Sequence, residues 1–352
     1  MSVKFYKSEN QVPLEMHKVR VVQKLNLLPV DERLRAIQKA GNNTFLLQNK
    51  DIYLDMLTDS GVNAMSDRQT AAMHMADDSY AGSETFNRLK AAMKEVFGTD
   101  NVLPAHQGRA CENILAERFV KPGMVAIMNF HFTTTKAHVT RCGGEVVEVL
   151  HKKGLIPQSD DPFKGDMDLQ ELRRVITEYG PEKVAYVRVE AGTNLIGGQP
   201  VSLENMLAVA DICHEFGVPS ILDASLLQDN IYFMKTREAR CKYMDIKSIY
   251  HLLADHFDII YFSARKLGFA KGGIITGGEI AHHGSIGGGD GCCATRGAGV
   301  AEPGSAYTNL GSSAWVCQMS DRPLLDPKAR IFNYLDADGH SCHVTGTVQT
   351  GA

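Results

Sequence analysis

Residues 258–279 read D-I-I-Y-F-S-A-R-K-L-G-F-A-K-G-G-I-I-T-G-G-E. The apolar run Ile259-Ile260-Tyr261-Phe262 predicts a buried strand, and Gly272 to Thr276 predicts the next one. Between them the chain turns through Ser263-Ala264-Arg265-Lys266. A lysine just past a buried strand, beside a hydroxyl and a second cation, is poised for Schiff-base chemistry. Burial and the neighbouring Arg265 both disfavour another positive charge, so its amine can lose its proton. Taken alone, these four residues fit a solvated lysine in a βα loop better; residues elsewhere in the chain shift that balance.

Outward from this stretch, strands and helices alternate from Asp51 onward. Met124 to Phe130, Glu145 to Leu150, Lys183 to Glu190 and Pro219 to Asp223 read as strands. Ser83 to Val96, Ala110 to Phe119, Asp168 to Tyr179, Ser202 to Phe216 and Ile246 to Phe257 read as helices. Asp168 and Ser202 suit N-caps, and Gly180 and Gly217 suit C-terminal stops. This alternation implies an α/β fold with a mostly parallel sheet covered by helices. Ligands in such sheets sit at the carboxyl ends of strands, where Asp223 and Lys266 both fall. Residues 1–50 are charged and interrupted by Pro13 and Pro29, and predict an N-terminal arm. Residues 51–279 form the α/β body. From 280 to 352 glycines crowd in and helical periodicity fades, which predicts a separate, β-rich piece.

The bulk numbers narrow the function classes. The 352 residues carry a formal net charge of -4, so nothing draws the chain to nucleic acid or to an anionic membrane surface. Apolar content of 44% and charged content of 22% suit a globular protein, and no run of about 18 apolar residues predicts a membrane span. The eight cysteines are scattered, without a CxxC pair, and Met1 to Glu15 shows no apolar signal segment. The expectation is reduced thiols in the cytoplasm.

A pyridoxal phosphate site needs a lysine, an acid against the pyridine nitrogen, donors for the phosphate and something flat against the ring. Asp223 closes the strand Ser220-Ile221-Leu222-Asp223 and suits the acid, although a strand-end Asp is also a common helix cap. Gln107-Gly108-Arg109 precedes a helical run, so backbone amides and a guanidinium offer a phosphate cradle. Phe132 follows a strand and suits a ring cover, or a core aromatic. Asn194 suits a partner of the ring's phenolic oxygen, or a turn former.

Several separate motifs in this order resemble the β-eliminating lyases, which include tryptophanase and tyrosine phenol-lyase. They are L-T-D-S-G (57–61), Y-A-G-S-E (80–84), H-Q-G-R (106–109), F-T-T-T (132–135), N-L-I-G-G-Q-P-V-S (194–202) and S-A-R-K (263–266). The resemblance, over about residues 19–279, implies a fold-type I, aminotransferase-like large domain that binds pyridoxal phosphate. It implies that Lys266 holds the cofactor and then moves the substrate's α-proton. Gln107, Gly108, Arg109 and Ser263 would bind its phosphate, with Arg265 beside them. Phe132 would stack on the ring, Asn194 would meet its oxygen and Asp223 its nitrogen. Tyr80 would be the acid that helps the aromatic group leave, supplied across the interface of a homo-oligomer. Thr58 and Thr133 would lie near the amino-acid substrate, and Gly61 and Asp78 near a potassium ion. The implied reaction is β-elimination of tyrosine or tryptophan to the free aromatic, pyruvate and ammonia. The alternative is a cofactor-binding protein without turnover.

Four departures accompany the resemblance, one of them Arg265 in place of a lysine. Leu226 stands where the family has an arginine three residues after the pyridinium Asp, which predicts the loss of a cation near the cofactor. Asp78 replaces a glutamate, which predicts weak potassium binding. The family's small C-terminal domain is not recognisable after Glu279. Instead residues 286–352 resemble a fragment of the FGGY carbohydrate kinases, whose lobes are actin-like. The matching motifs are G-G-G-D-G (287–291), G-A-G-V-A-E-P-G (297–304), L-G-S-S-A-W (310–315) and D-P-K-A-R-I-F-N (326–333). This implies Asp290 as a base toward a sugar hydroxyl and Gly311 to Ser313 facing nucleotide phosphates, in a chimeric chain, and makes a carbohydrate kinase fragment the other alternative function.

Overall fold

The computed structural model of the chain describes residues 2–4, 11–13, 24–58, 64–79, 82–266, 270, 272–277, 302–309, 314–328, 331–335 and 341–348. The chain divides into two compact units. One is Met1–Thr85 with Ala264–Lys271, and the other is Phe86–Ser263 with Gly272–Ala352.

In the first unit, β1 (Ser2–Lys4) pairs antiparallel with β2 (Gln11–Pro13), Ser2 opposite Pro13. Helix α1 (Val30–Lys39) starts directly after Pro29, whose fixed φ suits a helix entry, with Asp31 and Glu32 in its first turn. None of its residues is buried. Helix α2 (Asp67–His74) is capped by Ser66, whose hydroxyl accepts the Gln69 N–H at 3.0 Å. Ahead of α3 (Glu84–Phe97), the Asp77 carboxylate accepts the N–H groups of Glu84 and Thr85, both at 3.0 Å.

In the second unit the elements run β3 (Val102–Ala105), α4 (Gly108–Phe119), β4 (Val125–Met128), α5 (Thr133–Arg141), β5 (Glu145–Glu148) and α6 (Leu169–Tyr179). They continue through β6 (Val184–Glu190), α7 (Leu203–Phe216), β7 (Ser220–Asp223), α8 (Leu227–Arg237), α9 (Ile246–His256), β8 (Ile259–Ser263) and β9 (Gly273–Thr276). The seven strands form one sheet in the order β3-β9-β8-β7-β6-β4-β5. Every neighbouring pair is parallel except those made by β9, which runs against both β3 and β8. The mostly parallel sheet expected from the alternation is therefore present. Chain order reverses at β4, with β5 on one side and β6 on the other, so the crevice at their carboxyl ends is a topological switch point.

The sheet is covered on both faces. Val187, Val189, Leu222 and Ile260 pack with Leu172 and Ile176 of α6, Leu203 and Met206 of α7, and Leu253 of α9. On the opposite face Met128, Tyr186, Ile221 and Tyr261 pack with Cys111, Leu115 and Ala116 of α4 and Val139 of α5. The anticipated caps are in place. The Asp168 carboxylate accepts the Gln170 and Glu171 N–H groups, and the Ser202 hydroxyl accepts the Asn205 N–H. Gly217 ends α7 at φ 67°, in the left-handed region.

The tail forms a second, antiparallel sheet from β10 (Ala306–Asn309), β11 (Ala314–Ser320), β12 (Ile331–Leu335) and β13 (Cys342–Val348), ordered β10-β11-β13-β12. A β-rich tail was expected. No described helix is long and apolar enough to cross a membrane, and six described cysteines are free thiols.

Candidate active site

The first turn of α4 lies against the ends of β8 and β9. A Cβ placed on Gly108 would meet the Ser263 Cβ at 2.7 Å, and one on Gly273 would meet the Gln107 carbonyl carbon at 2.5 Å. Both contacts are too close for any side chain, so the glycines are what lets the helix tip sit on the sheet. Gln107, the residue before the helix, makes no side-chain cap; its Nε2 lies 2.9 Å from the His106 Nε2 instead. The start of α4 therefore lies beside Ser263, and a helix start of this kind suits an anion. Arg109 is exposed on the same turn. Four of the residues expected to bind phosphate thus occupy one place: Gln107, Gly108, Arg109 and Ser263.

From there a short relay leads to Asp223. The Ser263 N–H donates to Ser225 Oγ at 3.0 Å, and the Ser225 N–H donates to Asp223 Oδ1 at 3.0 Å. Asp223 ends β7 and is 5% exposed. Its Oδ2 accepts Arg188 Nη2 at 2.6 Å and the Tyr261 hydroxyl at 2.8 Å. Arg188, 1% exposed on β6, also donates from Nη1 to Glu190 Oε2 at 3.2 Å and from Nε to the Tyr261 oxygen at 2.9 Å. Glu190, Asp223 and Tyr261 are neighbours in register across β6, β7 and β8. Glu112 of α4 completes the group: its carboxylate accepts the Thr135 hydroxyl at 2.8 Å.

Burial governs the protonation of this cluster. Loss of water pushes Glu190 up to about 7, against the pull of Arg188 in the other direction. Burial opposes the charge on Arg188, but Tyr261, Glu190, Asp223 and Glu112 outweigh it and hold the guanidinium well above its usual range. Burial also raises Tyr261, which stays a neutral phenol that can donate. Cys111, one turn into α4, is pushed up to about 12 by burial and by Asp223 and Glu112, so it is an inert thiol.

Leu226 predicts the loss of a cation near the cofactor, at the turn after β7. The guanidinium against Asp223 comes from Arg188 on the adjacent strand. Leu226 instead packs at the turn, its Cβ 3.1 Å from where a Cβ on Gly192 would stand.

The other expected residues distribute as follows. Asn194 follows β6 and is half-buried; its N–H donates to Glu190 Oε1 at 3.2 Å. Phe132 is the residue before α5, half-buried just past β4, and Thr133 opens that helix exposed. Phe132 and Asn194 thus flank the switch point between β4 and β6. Thr58, Asp78, Arg265 and Lys266 belong to the other compact unit. There Thr58 is exposed and donates its hydroxyl to Asp55 Oδ2 at 2.6 Å, and Asp78 is exposed. Gly61, Tyr80, Asp290 and Gly311 to Ser313 lie outside the described residues. Among the described residues no group of three or more His, Cys, Asp or Glu side chains could hold a metal ion.

Sequence reasoning missed Arg188, Glu190, Tyr261, Glu112 and Asn129. Asn129, fully buried past β4, ties the site's floor together. Its amide donates to the Gly165 and Glu190 carbonyls and to Thr193 Oγ1, and its Oδ1 accepts the Glu190 N–H at 3.1 Å. The available signal was Arg and Glu inside V-A-Y-V-R-V-E, a strand too apolar to be a surface strand.

The family model of the beta-eliminating lyases matches residues 55–302. The chain is 39% identical to a tyrosine phenol-lyase of Clostridium tetani, over 76% of this chain and 58% of that protein. It is 40% identical to a tyrosine phenol-lyase of Nostoc punctiforme, over 72% of this chain and 54% of that protein. It therefore spans a little over half the length of these curated relatives. Among solved structures it is similar to histidinol-phosphate aminotransferase from Sinorhizobium meliloti in complex with pyridoxal-5'-phosphate. That likeness has a TM-score of 0.44 and 18% identity and covers 64% of this chain and 56% of that one.

Proposed function

The chain belongs to the beta-eliminating lyase family, and from that premise we propose that it is a pyridoxal phosphate-dependent lyase acting on an aromatic L-amino acid. The products are the free aromatic, pyruvate and ammonia, from tyrosine or tryptophan. The observation that carries the reading is the linked pair of ends in one unit. An anion cradle at Gly108 and Ser263 is joined through Ser225 to a buried carboxylate, Asp223. A phosphate at one end and a ring N–H at the other fit that pair.

The residues divide the work. Gln107, Gly108, Arg109 and Ser263 hold the phosphate. Asp223 accepts the ring-nitrogen proton, Phe132 covers the ring face and Asn194 meets the ring oxygen. When bound, the cofactor supplies an electron sink for negative charge developing at the substrate's α-carbon. Lys266 anchors the cofactor and takes the proton from that carbon on Nζ, with Arg265 beside it in sequence. Tyr80 delivers a proton to the departing aromatic ring. Thr58 and Thr133 serve the substrate, and Gly61 and Asp78 a potassium ion. The lyase works as a cytoplasmic homo-oligomer.

The test is direct. Reconstituted with pyridoxal phosphate, the chain is expected to show a visible absorbance band that Lys266→Ala abolishes, and to release pyruvate from tyrosine or tryptophan. A band without pyruvate from either amino acid leaves a cofactor-binding protein. No band refutes the reading.

A further inference from the structure

We propose that Arg188 and Tyr261 are positioning residues that hold Asp223 with a single acceptor position, on Oδ1, open to a ring N–H donor. The inference rests on the reading above, that Asp223 is the cofactor's nitrogen partner.

The argument is a count of lone pairs. An ionised carboxylate offers about four acceptor positions, two on each oxygen. On Asp223, Oδ2 takes Arg188 Nη2 at 2.6 Å and the Tyr261 hydroxyl at 2.8 Å, which fills it. Oδ1 takes the Ser225 N–H at 3.0 Å and keeps one position. The Tyr261 proton has two candidate acceptors, Asp223 Oδ2 at 2.8 Å and Glu112 Oε1 at 3.4 Å, and the shorter contact assigns it to Asp223. The phenol oxygen in turn accepts Arg188 Nε at 2.9 Å, so Arg188 supports Asp223 both directly and through Tyr261.

Arg188 cannot swing away. Its planar fork is bonded in three directions, to Asp223, Glu190 and Tyr261, at 1% exposure. The carboxylate plane of Asp223 is fixed by the same contacts, and fixed orientation is what a positioned partner supplies. A lysine at 188 would keep the charge but lose the fork.

The experiment uses the full chain loaded with pyridoxal phosphate. It reads the cofactor's dissociation constant and the pH midpoint of the visible band, with far-UV circular dichroism as the check on folding. Tyr261→Phe removes one donor to Oδ2 and keeps the ring; it is expected to weaken cofactor binding about tenfold. Arg188→Met is expected to weaken it roughly a hundredfold and to move the midpoint by about one pH unit or more. Arg188→Lys is expected to recover part of both. Should Arg188→Met fail to fold, Tyr261→Phe and Arg188→Lys decide the matter. Wild-type affinity and midpoint in folded Tyr261→Phe and Arg188→Lys overturn the proposal while leaving the lyase reading intact. Weaker binding with an unmoved midpoint in every variant also overturns it, because that is the result of a purely structural role. Absence of a band in the wild-type chain overturns the reading itself, and the proposal with it.

Discussion

Strand β6 is buried along its whole length, yet its two faces are buried by different means. Val187 and Val189 face α6 and α7 and are held by close packing of apolar groups. Tyr186, Arg188 and Glu190 face α4, where the last two are held by a closed set of charge-assisted hydrogen bonds. On the apolar face the cost of a truncation grows with the cavity it leaves. On the polar face each removed partner strands another charge away from water. Alternation of apolar and polar residues therefore marks a site here rather than a solvent-facing surface.

The contrast can be broken or sharpened by substitution. The largest effect is expected from Arg188→Met, which leaves Asp223 and Glu190 without their cation and costs roughly 3–5 kcal/mol of stability. Urea unfolding measures it, and adding Glu190→Gln to Arg188→Met should regain part of the loss. A stable single variant would mean that the two faces do not differ as described.

Leu222→Ala on the apolar face comes next, at roughly 2–5 kcal/mol, since Leu222 is fully buried. Cofactor affinity per folded molecule should be unchanged in that variant; a parallel fall in affinity would erase the distinction between the faces.

Gly108→Ala follows, at roughly 1–3 kcal/mol, because its Cβ meets Ser263 at 2.7 Å. Here stability and phosphate affinity should fall together, a signature neither of the first two variants shares. Competition by inorganic phosphate for the cofactor site reads the second quantity.

The smallest step concerns Asp166, a carboxyl on the α7 side that has Ser202 as its hydrogen-bonding partner and no guanidinium. Burial pushes it up to about 7, above its value of 3.8 in the unfolded chain. Between those values the folded state holds a proton that the unfolded state has lost, so stability falls as pH rises. The slope is at most ~1.4 kcal/mol per pH unit. Asp166→Asn keeps an acceptor for the Ser202 N–H and should flatten thermal stability between about pH 4 and 7. An identical pH profile in both proteins would show that Asp166 does not carry that proton.

Much of the fold was legible. Strand β8 and helix α9 sit where Ile259 to Phe262 and Ile246 to Phe257 predicted them, and Asp168 and Ser202 cap the helices they were expected to cap. These features are local, with period, cap and stop all within one turn of one another. Helix α5 escaped because it opens with three β-branched threonines and carries little apolar period. Strand β3 escaped because it is four residues long and contains Pro104, which an edge position tolerates. At the site, Gly108 and Ser263 were readable as separate motifs, and the fold brought them together. Arg188 was not readable, because two of its three partners, Asp223 and Tyr261, lie 35 and 73 residues away and become neighbours only through strand order.

Gly108 and Gly273 have a kinetic consequence. With no side chains between them and their neighbours, the tip of α4 is clamped to β8 and β9 before any guest arrives. The ordering cost of the anion pocket has been met during folding, so little remains to be met on association. Capture of phosphate should then proceed in a single exponential phase whose rate rises linearly with concentration, without the plateau that a slow rearrangement imposes.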